Sequence, residues 1–341
     1  MAEAPQLRAA VAARERIQFT GQNLFAGMFV VLALAFAVFA GASGDTFFFR
    51  LATEALILAG LAMAVDVLLG YTGLLSLGHA LFFGFGAYVS ALVLKNVAPS
   101  FWAAMGITLI ATTFLGFVAG FVSIRARGVY FALITFGLAQ VVFKVVFNTR
   151  EIGGSDGILG VPLIRVNFGL FSVDADSPAG FFLLTLGVVM LLYMALAYLM
   201  RAPFGRMLLA IRTNESRVAF LGFSPWRTKL IAFVVAADVA ALAGGLYPML
   251  RGFVSPELFA FEASGNAVIM VILGGSGSLA GALYGASILT VLRSVIGTWS
   301  QYHLIIIGGL FMLAVIFLPK GLAGYALPRI QRWLERRGGE R

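Results

Sequence analysis

The 341-residue chain is 61% hydrophobic and only 11% charged, where a soluble domain carries about 25% charged residues. Together with a mean hydropathy of +0.98, that composition places it in a bilayer. With no cysteine, disulfides, thiolate zinc sites, iron–sulfur clusters and cysteine nucleophiles are excluded, and a net charge of +9 fits loops at the anionic inner leaflet better than nucleic acid.

A helix crosses the roughly 30 Å hydrocarbon core with about 20 apolar residues. The first apolar run, 24–40, follows Arg14 and Arg16 and predicts an uncleaved first helix that starts inside. Runs at 51–69, 80–94, 101–124, 129–147, 180–200 and 230–250 predict six further spans. The next two, 267–273 and 279–292, are too short for two full crossings. Between them lies GGSGSLAG (274–281), so they predict a broken, glycine-rich hairpin, tolerated at membrane depth only against protein or a water-filled cavity. A last run covers 303–318. The fold class is therefore all-α and polytopic, with eight to ten transmembrane segments in one body over 23–320. A cytoplasmic segment, 1–22, precedes that body, and a basic cytoplasmic tail, 321–341, follows it. No internal repeat is evident.

Orientation follows from the basic residues. With the N-terminus inside, 17 of the 24 Lys and Arg fall on the cytoplasmic side, and acids such as Asp45, Glu151 and Asp156 fall outside. Both termini are then cytoplasmic, and ten segments fit better than nine. The longest outer loop is 148–178, and its GGSDGILGVP stretch is rich in turn residues.

The segment 201–229, RAPFGRMLLAIRTNESRVAFLGFSPWRTK, holds six basic residues and one acid, Glu215. It predicts a helix over 204–212, a second over 215–221, and a stop at Gly222 and Pro225. Leu208, Leu209, Ile211, Val218, Phe220 and Leu221 give these helices apolar faces, for a partner's groove or for lipid headgroups.

Much chemistry is absent. No GxxxxGK[ST] loop and no HExxH occur, and the two histidines, His79 and His303, lie far apart. We expect no catalytic residue, no bound cofactor and no metal site. A channel, a carrier or one subunit of a pump remains.

Ionisable residues inside spans are costly and mark candidates. Asp66 and Asp238 suit either a structural charge or a transport role. Lys144 lies near a span end and can snorkel. Glu54 follows Arg50 by four residues, which predicts that the two pair. In 70–88, GYTGLLSLGHALFFGFGAY, five glycines permit close approach or a break, while Thr72, Ser76 and His79 supply donors and acceptors. Helix packing and proximity to a substrate pathway both fit that mixture. Gly277, Gly281 and Gly285 form a tandem GxxxG, and Gly116 and Gly120 another, which reads as helix packing. The break at Gly274, Gly275 and Gly277 is also a pathway candidate.

Four regions in order carry a resemblance: 70–88; RGVYFALITF with GGSDGILGVP; PFGRMLLAIRTNESRVAFLG; and VILGGSGSLAGALYG. They resemble the permeases of branched-chain amino acid ABC importers, of the LivM type more than the LivH type, over about 51–319. The resemblance implies a transport subunit, not an enzyme, in the bacterial inner membrane. Its implied partners are a second, LivH-like permease, two cytoplasmic LivG/LivF-like ATPases that hold ATP and magnesium, and a periplasmic binding protein. It makes 201–229 a coupling loop, with Phe204, Gly205, Arg206, Arg212, Glu215 and Gly222 toward the ATPase. Ser216 and Arg217 replace the two alanines of the family's Glu-Ala-Ala…Gly pattern. Pathway candidates are Asp66, Thr72, Ser76, His79, Asp238, Gly274, Gly275 and Gly277, and binding-protein contacts are Gly154, Ser155 and Asp156. The implied substrates are branched-chain or other hydrophobic amino acids, with urea, amides or aromatic acids as alternatives on the same architecture. From the residues alone, an ion-coupled secondary carrier using Asp66 or Asp238 is the rival.

Overall fold

The computed structural model describes residues 3–162, 165–167, 172–174, 177–299 and 302–338. In chain order the helices are α1 Glu3–Ser43, α2 Thr46–Asp66, α3 Ala80–Asn96, α4 Phe101–Ser123, α5 Val129–Asn148 and α6 Pro178–Arg201. They continue with α7 Pro203–Thr213, α8 Glu215–Phe220, α9 Pro225–Arg251, α10 Phe261–Gly274, α11 Leu279–Trp299, α12 His303–Phe317 and α13 Gly321–Gly338. The protein is an all-α polytopic membrane protein. Among the described residues, eight helical stretches are long and apolar enough to cross a membrane, and the shorter apolar helices α3 and α10 bring the count to ten.

Helices α2 and α9 pack directly on each other as the buried axis of the bundle, with α3 and α4 against α9 and α6, α10 and α11 against α2. Small residues make this possible. Ala232, Ala236, Ala237, Ala240, Ala241 and Ala243 of α9 are fully or almost fully buried, so backbones meet across the seam. Gly86 of α3 lies directly against the Ala241 carbonyl, and Gly244 of α9 against that of Phe83. In lipid the hydrophobic effect does not drive helices together, and this close fit supplies the dispersion contacts instead.

The two short helices have separate causes. Helix α2 does not end at Asp66 but runs into a π-helical turn, Val67–Thr72. The Thr72 hydroxyl donates back to the Leu68 carbonyl at 2.6 Å, and Gly73 closes the turn at φ +73°, a left-handed backbone that glycine adopts without strain. Residues 73–79 then return without helical bonding, so α3 starts inside the body rather than at its edge. The Ser264 hydroxyl of α10 accepts from the Ala80 amide at 2.9 Å and caps that buried start. Helix α10 is short because a 3₁₀ turn, Pro256–Phe259, occupies the chain before it.

Several expectations change. Helix α1 begins at Glu3, well before its apolar span, Gly21–Ser43, and runs into it unbroken. Only one arm of the 267–292 hairpin is short: Leu279–Thr298 is long enough to cross, whereas α10 is not. The GxxxG glycines do pack, inside the chain: Gly281 lies against the Gly274 carbonyl, and Gly285 against that of Met270, which zips α10 to α11. Gly116 and Gly120 of α4 accommodate Ala237 and Phe233 of α9. Glu54 does not pair with Arg50. Its Oε2 accepts from Arg251 Nη2, 2.6 Å away at the end of α9. Four short strands were also not anticipated. β1 Ile158–Leu159 pairs antiparallel with β4 Phe253–Val254, and β2 Arg165–Asn167 with β3 Ser172–Asp174.

Candidate functional site

The bundle has two ends. At one, the α1 region near Gln22 and Asn23, the end of α6, the starts of α7 and α9 and the C-terminal helix α13 meet: Arg201 donates to Asn23, and Gly21 sits against Gln331. At the other, β1 and β4 pair beside the end of α9, and Lys95 Nζ donates to the Leu159 carbonyl at 3.1 Å.

The segment 201–229 folds as its residues direct. Pro203 opens α7, and Gly205 lets that helix fold back against the Met200 carbonyl, where any Cβ would collide. Asn214 caps α8, its Oδ1 accepting from the Arg217 amide at 2.9 Å. Gly222 ends it at φ +85°, and Ser224 caps α9. The apolar residues divide in two. Leu208, Ile211 and Val218 are buried against the bundle. Phe220, Leu221 and Phe223 project outward, 92%, 70% and 54% exposed, with Arg206 and Arg217 also on the surface. Phe204 is half-buried at the α6–α7 elbow.

Two polar links join this segment to the body. Glu215 Oε2 lies 2.7 Å from Nζ of Lys229, a lysine that α9 keeps 5% exposed. Arg212 reaches past Gly73 and donates to the Gly70 carbonyl in the π turn. A cation there satisfies a carbonyl at a helix C-terminus and suits the negative end of the dipole. A polar cavity of about 260 Å³ lies beneath the segment, lined by Thr72, Arg127, Arg212, Asn214, Glu215 and Lys229.

Asp66 sits at the centre of this junction, fully buried. Its Oδ1 accepts from the Gly277 amide at 2.7 Å, at the N-terminal approach to α11, and Arg212 lies within its electrostatic reach. Gly70 touches both the Asp66 carboxylate and Gly277, and no side chain fits there. Gly275 and Gly277 take φ +105° and +86°, which shapes the turn that presents the amide. One cluster thus joins the end of α2, the α10–α11 turn and α7.

The other predicted residues are distributed as follows. Thr72, Ser76 and His79 are buried, pointing into the protein. His79 Nδ1 lies 2.8 Å from Ser76 Oγ, and its ring sits edge-on to Phe82 and Phe233. Gly73 and Leu75 are the residues of this stretch that face outward. Asp238 is apart from the junction, midway along α9, and accepts from Thr113 at 3.0 Å. Gly154, Ser155 and Asp156 form a 3₁₀ turn at the opposite end, Ser155 and Asp156 exposed. Among the described residues no cluster of His, Asp and Glu is placed to hold a metal. Two features had no sequence signal: the π turn, and the inward reach of Arg212 across 142 residues of chain.

A family model described as branched-chain amino acid transport system, permease component, matches residues 47–315. The chain belongs to that permease family. The match covers both the junction and the 201–229 segment. The permease is 34% identical over 331 residues to the high-affinity branched-chain amino acid transport system permease protein LivM of Escherichia coli, covering 91% of this chain and 77% of that one. It is 32% identical to LivM of Salmonella typhimurium over the same shares. LivH of Salmonella typhimurium is 24% identical over 77% of this chain and 90% of its own. The permease is thus of the LivM type. No solved structure matches it.

Proposed function

We propose that this permease is one membrane half of an ATP-driven importer of branched-chain or other hydrophobic amino acids. A second, LivH-like permease forms the other half, and two cytoplasmic ATPases dock on α7 and α8. A binding protein delivers substrate at the end that carries Gly154–Asp156. The end with α7, α8 and both terminal helices faces the cytoplasm, in line with its basic charge.

One observation carries this reading: the exposed knob of Phe220, Leu221 and Phe223 on a basic segment, fixed to the membrane core by Arg212 and by the Glu215–Lys229 pair. Exposed aromatic side chains at an aqueous end mark a protein interface. The polar links turn that interface into a lever. When the ATPases close, α7 and α8 move, and Arg212 carries the motion to the π turn, to Gly277 and to the non-helical stretch 73–79. A π turn interrupts the regular α-helical bonding pattern and is common at functional sites, so it is a suitable hinge. Access to the pathway then alternates between the two faces.

Co-purification tests the proposal. The tagged chain, expressed with its neighbouring genes, is expected to retain a P-loop ATPase, and Phe220→Asp is expected to release it. Retention of no ATPase by the wild-type chain refutes the reading.

A further inference from the structure

At the end opposite α7 and α8, arginines from three helices share one cavity wall. Arg50 of α2, Arg251 of α9 and Arg293 of α11 line one cavity of about 470 Å³, with Thr290 and Ser294 beside them. Glu54 is the one carboxylate in that lining, and Arg251 already engages it at 2.6 Å. Two positive charges are left over in a space also walled by Phe47, Leu51 and Leu58. Like charges on facing helices repel, and more strongly beside lipid than in water. An anion between them removes that repulsion, and the planar arginine fork fits phosphate or carboxylate oxygens.

The adjoining crevice indicates what the anion is attached to. Leu51 also lines a second cavity of about 220 Å³, walled by Phe29, Phe36, Leu56, Phe182 and Val291, among others. Along both α2 and α11 this apolar crevice lies on the bilayer-centre side of the arginines. Phe47, which lines the first cavity, and Val291, which lines the second, are 50% and 44% exposed, so the site opens onto an apolar exterior. A charged head space above an apolar slot matches a lipid, not a soluble anion.

We propose that these paired cavities bind one anionic phospholipid. Its phosphodiester sits among Arg50, Arg251 and Arg293, and an acyl chain fills the crevice between α1, α2 and α11. A free amino acid would satisfy the arginines with its carboxylate but leave the crevice empty. The site is independent of the coupling junction: Arg50 and Asp66 are separated by roughly 24 Å of helix at 1.5 Å per residue.

The test is lipid selectivity of the full chain in mild detergent, read by native mass spectrometry. Phosphatidylglycerol, phosphatidylcholine with the same acyl chains, glycerol 3-phosphate and leucine are the probes. The expected result is one retained phosphatidylglycerol, held about tenfold more tightly than phosphatidylcholine, with no stable adduct of the two soluble probes. Arg50→Gln with Arg293→Gln is expected to abolish the preference. Arg150→Gln, at the same end but outside the cavity, is expected to keep it. Equal retention of the two lipids by the wild-type chain overturns the proposal without any variant. An unchanged preference in the double variant overturns it too, as does retention of glycerol 3-phosphate or leucine as tight as that of phosphatidylglycerol.

Discussion

Arg212 concentrates the account at the scale of single residues. It leaves an aqueous helix, passes Gly73 and ends on a backbone carbonyl beside a buried aspartate. Removing it strands the Gly70 carbonyl and leaves Asp66 with the Gly277 amide alone, a loss of about 1.5–3 kcal/mol at the junction. Arg212→Ala is therefore expected to keep the ATPases bound but to lower transport per ATP hydrolysed by about tenfold or more, because about 1.4 kcal/mol is already a factor of ten. A proportional fall in both rates would argue against a transmitting role. Glu215→Gln tests the second link. It leaves Lys229 without its carboxylate at 5% exposure. Glu215 is itself 31% exposed, so the cost is expected near about 1–2 kcal/mol, below that of a fully buried pair, as a lowered melting temperature. From sequence, Arg212 and Glu215 stand out as charges in a basic segment, and Asp66 as a charge in a span. Their partners do not, because Gly70, Lys229 and Gly277 are selected by tertiary folding. The same limit produced the error over Glu54. Helical spacing offers it Arg50, but the end of α9 brings Arg251 into bonding distance.

Among the elements, helices α7 and α8 were the most legible. Pro203, Asn214, Gly222 and Pro225 punctuate the segment by local backbone chemistry, which needs no tertiary information. The shortness of α3 was visible only as an apolar run of modest length. Its cause, the return of 73–79 after a π turn, depends on Gly73 and on a cap from Ser264 of α10. Gly116, Gly120, Gly281 and Gly285 read as packing residues from their GxxxG spacing and do pack, whereas the contact of Gly86 with the Ala241 carbonyl carried no such signal. That contact gives a sharp prediction. Gly86→Val drives a side chain into the Ala241 carbonyl and is expected to cost about 3 kcal/mol or more, seen as loss of the folded chain from the membrane. Gly106→Ala, on open surface of α4, is expected to leave the yield unchanged. Equal yields for both variants would contradict the packing described for the α3–α9 seam.

For the whole molecule, the asymmetry of charge between the two ends predicts an orientation with the basic end inside. The absence of cysteine makes it directly measurable. Ser155→Cys is expected to react with a membrane-impermeant maleimide in intact spheroplasts, and Glu335→Cys only after permeabilisation; the reverse pattern would invert the topology. The number of apolar segments and their all-helical nature followed from hydropathy, since bilayer thickness constrains element length so strongly. The driving force did not follow from any residue, because a missing phosphate loop is equally true of an ion-coupled carrier. Uptake of labelled leucine by proteoliposomes containing this permease and its co-purified partners tests that claim most directly. The account predicts uptake that requires ATP on the α7–α8 side, that persists when proton and sodium gradients are collapsed, and that falls about tenfold or more in Arg212→Ala. Uptake by the permease alone, driven by an ion gradient without any ATPase, would contradict it.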